Sequence, residues 1–516
     1  MVLFPLPETP VIINIIVEVK KINYFHLVIF CDMELPSGFE SDHFYTKKVG
    51  DLHYRGLHIC SGKTPVYEVA SLMAREKISC LFIGDPKIKG FVTDITLRDK
   101  VLAKNLSPSI LVEDIMDRGI FSIDKKAYLY EALLLMFQSK SRYLLVREGI
   151  EYVGWLSRNK ILTEQYQGPF IFIQSVKQAM DMEELAQKWR IVPQIVHQLI
   201  ERGVRSPIVN QIITTISDAI TLRVIENTIR DLGDPPAKFV FFVLGSEGRG
   251  EQTLKTDQDN AIIYEDKANE HRELVRTYFL EFADKVSSAL DSIGIVFCKG
   301  GFMAKNPKWT HSLSHWKKNY ESWIQDSGPE TMMKYSTFFD CRAIFGEFSL
   351  LDELRGFMDL QLQHPTEKFF LNLGVNALQY EPPLTFLKRN IKTFDIDGEA
   401  HFNIKKTMTP IVDLARVFAL KHRIFETNTG KRIDSLKSIG VFSEKEAREL
   451  NHAYYYLMAL RLEKQALQII EKGQKPVNYV SVNQLTKVQM VTLIEIFKVI
   501  KEFQLKIKME FTKNIF

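Results

Sequence analysis

The stretch that most restricts this fold is Lys238–Leu244, a short run rich in β-formers that stops on a glycine. A run of this kind reads as a buried strand. It leads through Gly245-Ser-Glu-Gly-Arg-Gly250 to Asp257-Gln-Asp-Asn-Ala-Ile-Ile-Tyr264, a second expected strand. Alternate residues of a strand share a face, so Asp257 and Asp259 are expected to project the same way, with Cβ atoms about 7 Å apart. Two carboxylates so placed repel each other until a cation joins them, and Mg²⁺ favours carboxylates combined with substrate phosphate oxygens. The glycine turn can bring backbone N–H groups against a triphosphate. Gly245 permits close approach, Ser246 offers a hydroxyl, and Arg249 offers a bidentate phosphate donor. These are the parts of phosphoryl or nucleotidyl transfer by positioned metal ions.

Around this centre the pattern is mostly helical. Gln174–Trp189, Pro193–Glu201 and Val209–Asp231 carry apolar residues three and four apart, and Gly233-Asp-Pro-Pro236 is a stop. Glu270–Ile293 reads as a helix, Trp316 and Trp323 as core, and Tyr335–Ile344 as a strand holding Asp340. Beyond 350 the chain reads as helices, with Thr409-Pro410 as N-cap and first residue of one of them. Glu444–Lys472 is a longer helix that sets Tyr454, Met458, Arg461 and Gln465 on one face.

The segment Leu244–Asn260 resembles the nucleotidyltransferase motif of the DNA-polymerase-β superfamily, and within it the nucleotidyltransferases related to the protein-PII uridylyltransferases. Lys299–Trp309 and Phe338-Phe-Asp-Cys-Arg342 are similar to that subfamily too. The resemblance implies that Asp257, Asp259 and Asp340 form a catalytic triad holding two Mg²⁺ ions. It also implies an NTP substrate, gripped by Gly245, Ser246 and Arg249, and a protein acceptor, PII-like in the nearest parallel. Lys405, Lys406, Arg416, Arg461 and Gln465 look similar to positions shared in the helical substrate-binding domain, with Lys405 and Arg416 expected at the nucleotide. A buried polar network tying the helices together is the alternative for these residues.

A weak repeat spans about 47–165. Gly90-Phe-Val-Thr93 and Gly154-Trp-Leu-Ser157 lie 64 residues apart, each following a helix and a strand. Two such units would pair to bury their sheets. The repeat resembles a tandem CBS pair, divided at about 47–105 and 106–165. That family commonly binds adenine nucleotides, so a nucleotide effector and homodimerisation through the pair are implied. Thr93 and Ser157 match the phosphate-contacting hydroxyl position, while Thr96 and Lys160 stand where a ribose-binding Asp is expected. Lys160 would then meet a phosphate. A packing module without ligand is the alternative. Residues 1–46 are too short for the cyclic-nucleotide-binding barrel often found ahead of such a pair, and would be at most its remnant.

The whole chain therefore reads as α/β plus all-α. A tandem CBS pair precedes a polymerase-β-like α/β domain with a helical lead-in at 166–350 and a helical substrate-binding bundle at 351–516. At about 150 residues per domain, 516 residues accommodate this division. A net charge of +4 argues against nucleic acid as the main partner. Five cysteines without a CxxC argue against a disulfide framework or zinc ribbon and for a reducing cytoplasm. No apolar run near the start approaches the ~20 residues of a membrane span. The competing reading is a non-catalytic scaffold that uses the same folds.

Overall fold

The computed structural model describes residues 47–512 apart from 53, 55, 86, 164–168, 180, 268 and 386–389. The expected remnant at 1–46 lies outside the described residues.

The front of the chain forms two sheets built alike. Ile59–Cys60, Cys80–Gly84 and Ile88–Thr93 lie side by side in that order, the first pair parallel and the second antiparallel. Ser122–Asp124, Tyr143–Glu148 and Glu151–Ser157 repeat both order and sense. Helices Val66–Arg75 and Leu129–Gln138 accompany the two sheets. The units interlock. Leu145 and Trp155 of the second are buried in the core of the first, and Val49 is buried in the core of the second. Val49 N–H donates to Ala127 O at 2.8 Å, so residues ahead of the first sheet complete the second unit.

Three helices follow, Pro169–Lys177, Met182–Glu201 and Ser206–Leu232. The break falls at Asp181, which caps the second helix through Glu184 N–H, and not at Pro193, which sits inside it. A mid-helix proline costs about 3 kcal/mol. The buried stripe of Leu185, Val192, Val196 and Leu199 offsets that at about 1.5–3 kcal/mol per side chain. Ser206–Leu232 is long and apolar enough to cross a membrane by length and composition, and 78% of its apolar window is buried inside the protein.

The central sheet has the order Thr310–Ser312, Asn260–Tyr264, Phe239–Val243, Arg342–Gly346. Its two middle strands are wholly buried and antiparallel, with Val243 opposite Asn260. Trp316 and Trp323 are buried beside it, and Trp316 Nε1 donates to Ile262 O at 2.9 Å. Asp257–Gln258 belongs to a different, two-stranded sheet with Val296–Phe297. The chain thus changes sheets at Asp259.

Beyond residue 350 the structure is helical apart from a small sheet of Phe394–Ile396, Glu399–Asn403 and Tyr479–Ser481. The helix expected to open at Thr409-Pro410 opens earlier. It spans Ile404–Lys421, is capped by Asn403, and contains Pro410. Thr409 Oγ1 donates back to Lys405 O at 2.9 Å, and Ile404, Met408, Ile411 and Leu414 are buried, which holds the helix together across the proline.

Candidate functional site

Leaving its strand at Val243, the chain turns through Gly245, whose φ of +57° lies in the left-handed region. A Cβ built there would stand 3.2 Å from Asp259 Oδ2, so the turn and the carboxylate are in contact. Leu244 N–H donates to Asp259 O at 2.8 Å. At Gly248 a Cβ would fall 1.8 Å from Asp340 O, which only glycine tolerates. Gly248→Ala should cost about 1–3 kcal/mol, read as a lower urea midpoint at unchanged slope.

Asp257, Asp259 and Cys298 gather their ligand atoms within 4.8 Å of one another. The two acids meet, but not along one strand: Asp257 pairs in the two-stranded sheet and Asp259 stands between the two sheets. Their buried neighbours hold them instead. Gln258 Nε2 donates to Ser287 O at 2.9 Å and Ile295 O at 2.8 Å, and Asn260 Oδ1 accepts from Ala304 N–H at 2.9 Å. Burial, and then the charge of Asp257, push the Asp259 carboxyl up to about 7. Burial, and then Asp259, push the Cys298 thiol up to about 11, so it stays protonated and hydrogen-bonds Asp259. The two carboxylates offer oxygen ligands of the kind a hard cation takes, with the Cys298 thiol beside them.

These acids border a cavity of about 330 Å³. Gly245, Ser246, Asp257 and Asp259 form one wall, while Lys405 and Arg461, from the C-terminal helices, line another part. Burial pushes the Arg461 guanidinium down to about 10, and its Nε donates to Asn478 Oδ1 at 3.0 Å. Gln465 faces the same Asn478, and its Oε1 accepts from Lys255 N–H at 3.3 Å.

Asp340 departs from expectation. It lies on no strand: it follows the short turn Ser336–Phe339, and the strand begins at Arg342. It is fully buried, and three guanidinium groups occupy its oxygens. Arg249 Nη1 and Arg416 Nη2 reach Oδ2 at 2.7 and 2.6 Å, and Arg432 Nη1 reaches Oδ1 at 2.7 Å. Burial alone would raise its pKa, yet Arg416, Arg432 and Arg249 hold the carboxyl well below the usual range. Asp340 is neither in the cluster of Asp257, Asp259 and Cys298 nor among the residues lining the cavity, so it is not a third metal-facing acid. It is the counter-ion at the junction of the α/β domain with the helical bundle. Arg249 and Arg416, expected on phosphate, border the cavity but are committed to acids. Arg249 Nε also holds Glu251 at 2.7 Å, and Arg416 also pairs with Asp413. Sequence reasoning missed Arg432 altogether. Its only sequence signal is a cationic residue at a helical position that turns inward. Arg342 pairs with Asp218 at 2.8 Å, not with Asp340.

Residues 190–330 match the family model described as "Putative nucleotidyltransferase DUF294", residues 367–511 the "Putative nucleotidyltransferase substrate binding domain", and residues 112–166 the CBS domain. The chain joins a DUF294 domain, its substrate-binding companion and a CBS domain. No curated protein matches it. Solved structures similar to it include a signal-transduction protein with CBS domains from Burkholderia ambifaria, at 24% identity and TM-score 0.22, covering 23% of this chain and 93% of that one. A conserved protein from Pyrococcus horikoshii shares 23% identity at TM-score 0.22, covering 23% of this chain and 92% of that one. CBSX2 in complex with AMP shares 25% identity at TM-score 0.20, covering 23% and 94%. The glycine turn and acid pair lie inside the DUF294 match, Lys405, Arg416 and Arg461 inside its companion, and Asp340 between the two.

The CBS family model covers the second unit, and the first has the same strand order. In both, the expected ligand hydroxyl is a helix cap. Thr93 Oγ1 accepts from Thr96 N–H at 3.1 Å, and Ser157 Oγ from Lys160 N–H at 3.2 Å. Thr96 Oγ1 donates to Asp117 at 2.7 Å, which fills the ribose position with a bonded, buried group. Thr93, Ser157 and Lys160 do not border the cavity at the acid pair.

Proposed function

We propose that this chain is a Mg²⁺-dependent nucleotidyltransferase that moves an NMP group from an NTP to an acceptor hydroxyl, on a signalling protein of PII-like kind. One observation carries the reading: Asp257 and Asp259 meet under the Gly245 turn, across a cavity lined by Lys405 and Arg461, inside a chain that matches nucleotidyltransferase family models. Mg²⁺ bound to the two acids would neutralise charge on the phosphates. Ser246 and the N–H groups of the turn would hold the polyphosphate, with Lys405 and Arg461 facing it from the helices. The acceptor oxygen forms its bond to the α-phosphorus as the α–β bridging bond breaks. Pyrophosphate leaves, and the hydroxyl proton passes to water in the cleft. With Asp340 committed to arginines, the carboxylates at hand anchor one ion more readily than two.

The commitment of Asp340 also favours a second reading, in which the same cleft binds a nucleotide without turning it over. Incubation with Mg²⁺, labelled NTPs and cell lysate separates them. Transfer of label to a protein supports the enzyme, and nucleotide binding without any transfer supports the binder. The proposal extends to the front module as a dimerising, effector-binding unit in a cytoplasmic protein. CBSX2 holds AMP in its solved complex, and here Tyr67, Leu102 and Leu106 of the first unit are exposed.

A further inference from the structure

A second, larger cavity of about 800 Å³ lies where the second CBS unit, the helix Ser206–Leu232 and the edge strand Arg342–Gly346 meet. Its size falls in the range of small-molecule sites. Phe121, Phe137, Phe345 and Phe348 give it aromatic walls, with Phe121 and Phe348 exposed. Lys140 and Lys177 line it as well.

The charge around this cavity is unbalanced. Lys177 Nζ lies 4.8 Å and Arg158 Cζ 5.5 Å from the Phe137 ring centre. Burial, then Arg158 and Lys140, push the Lys177 ammonium down to about 8, and Arg142 repels Arg158 in turn. None of Lys140, Arg142, Arg158 and Lys177 has an ion pair among the described residues. The acids that act on Lys177 or line the cavity are otherwise engaged, Glu226 with Arg223. Asp218 is held by Arg342, and Glu347 accepts from Ser349. Two buried donors, Arg158 Nε and Arg342 Nε, find no hydrogen-bond partner among the described residues. Clustered cations beside unspent donors and aromatic faces suit an anion that carries a ring.

The cavity also touches the turn at the acid pair. Arg342, in its wall, is forked onto Asp218 at 2.8 and 2.9 Å and donates from Nη2 to Glu247 O at 3.1 Å. Glu247 lies within Gly245–Gly248, the turn that contacts Asp259. An anion competing for Arg342 would loosen the hydrogen bond that pins that turn.

We propose that this inter-domain cavity binds a nucleoside phosphate, with its phosphate on Lys140 and Lys177 and its base among the phenylalanines, and that occupancy reaches the Gly245 turn through Arg342. The binding half is independent of the proposed catalysis, while the coupling half rests on that turn holding the substrate. The test is photolabelling of the full chain with 8-azido-ATP in EDTA, followed by peptide mapping. Label should appear on the peptides of 121–140 or 342–348. It should fall at least tenfold in Lys140→Gln/Lys177→Gln, whose thermal melt serves as the folding control, with the exposed single variant Lys140→Gln in reserve. Label confined to 245–259 and 404–461, or cavity labelling that both variants leave unchanged, overturns the site. Inorganic phosphate displacing the label as well as AMP overturns the assignment to a nucleoside phosphate. For the coupling, ATP in EDTA should change amide exchange over 245–250 in Asp257→Asn/Asp259→Asn, and adding Arg342→Gln should abolish the change. An unchanged exchange rate in the first protein overturns the coupling and leaves the binding result to stand or fall by its own labelling. Failure of the catalytic reading would appear separately, as absent NMP transfer by a chain that still labels in the cavity.

Discussion

Asp340→Asn should lower the free energy of unfolding by about 3–5 kcal/mol, the cost of breaking a buried ion network by removing one partner. The three arginines around Asp340 are not equally provided for. Arg249 keeps Glu251 and Arg416 keeps Asp413, but Arg432 would retain only the Glu426 and Phe339 carbonyls. Asp340→Asn/Arg432→Met should recover part of the loss, because it removes the stranded charge along with its partner. Urea denaturation of the single and double variants reads both effects. A metal-binding Asp340 would behave oppositely, with stability kept and only activity lost. The same residue sets an acid limb. Its folded pKa is depressed below 3.8, so its contribution is present above that value and is lost as the pH falls below it. The acid limb of the wild-type stability profile should flatten in Asp340→Asn.

The acid pair should respond in the other sense. Asp257→Asn/Asp259→Asn should reduce label transfer by at least about 10³-fold, given that a single preorganised electrostatic group is worth about 10²–10³-fold. Stability without Mg²⁺ should hold or rise, because two facing carboxylates lose their mutual repulsion. Adding Mg²⁺ should raise the melting temperature of the wild type and not of the variant. Transfer that is equal in the two proteins would defeat the catalytic reading.

These residues differ in how far the sequence betrays them. The strand, the glycine turn and the acids lie within one short stretch, where local pattern governs, and Trp316 and Trp323 declare their burial by helical spacing. The repeat of the front module is legible in Gly90-Phe-Val-Thr93 and Gly154-Trp-Leu-Ser157, although its interlocking through Val49 and Trp155 is not. The sheet change at Asp259 escapes a periodicity reading, since Asp257–Tyr264 alternates like one strand while its two ends pair with different partners. Pro193 and Pro410 mislead because buried stripes carry helices through them. Asp340 is the deepest miss. Its neighbours Arg249, Arg416 and Arg432 are 91, 76 and 92 residues away, so nothing local distinguishes a counter-ion from a ligand.

That arginine cage also decides how the molecule can be cut and inherited. A fragment ending before residue 404 would bury Asp340 with Arg249 alone, and one beginning after it would leave Arg416 and Arg432 facing nothing. Neither half should be recoverable as an independent module. Recombination that exchanged one half for a distant cousin's would succeed only if the cousin brought matching charges to the seam.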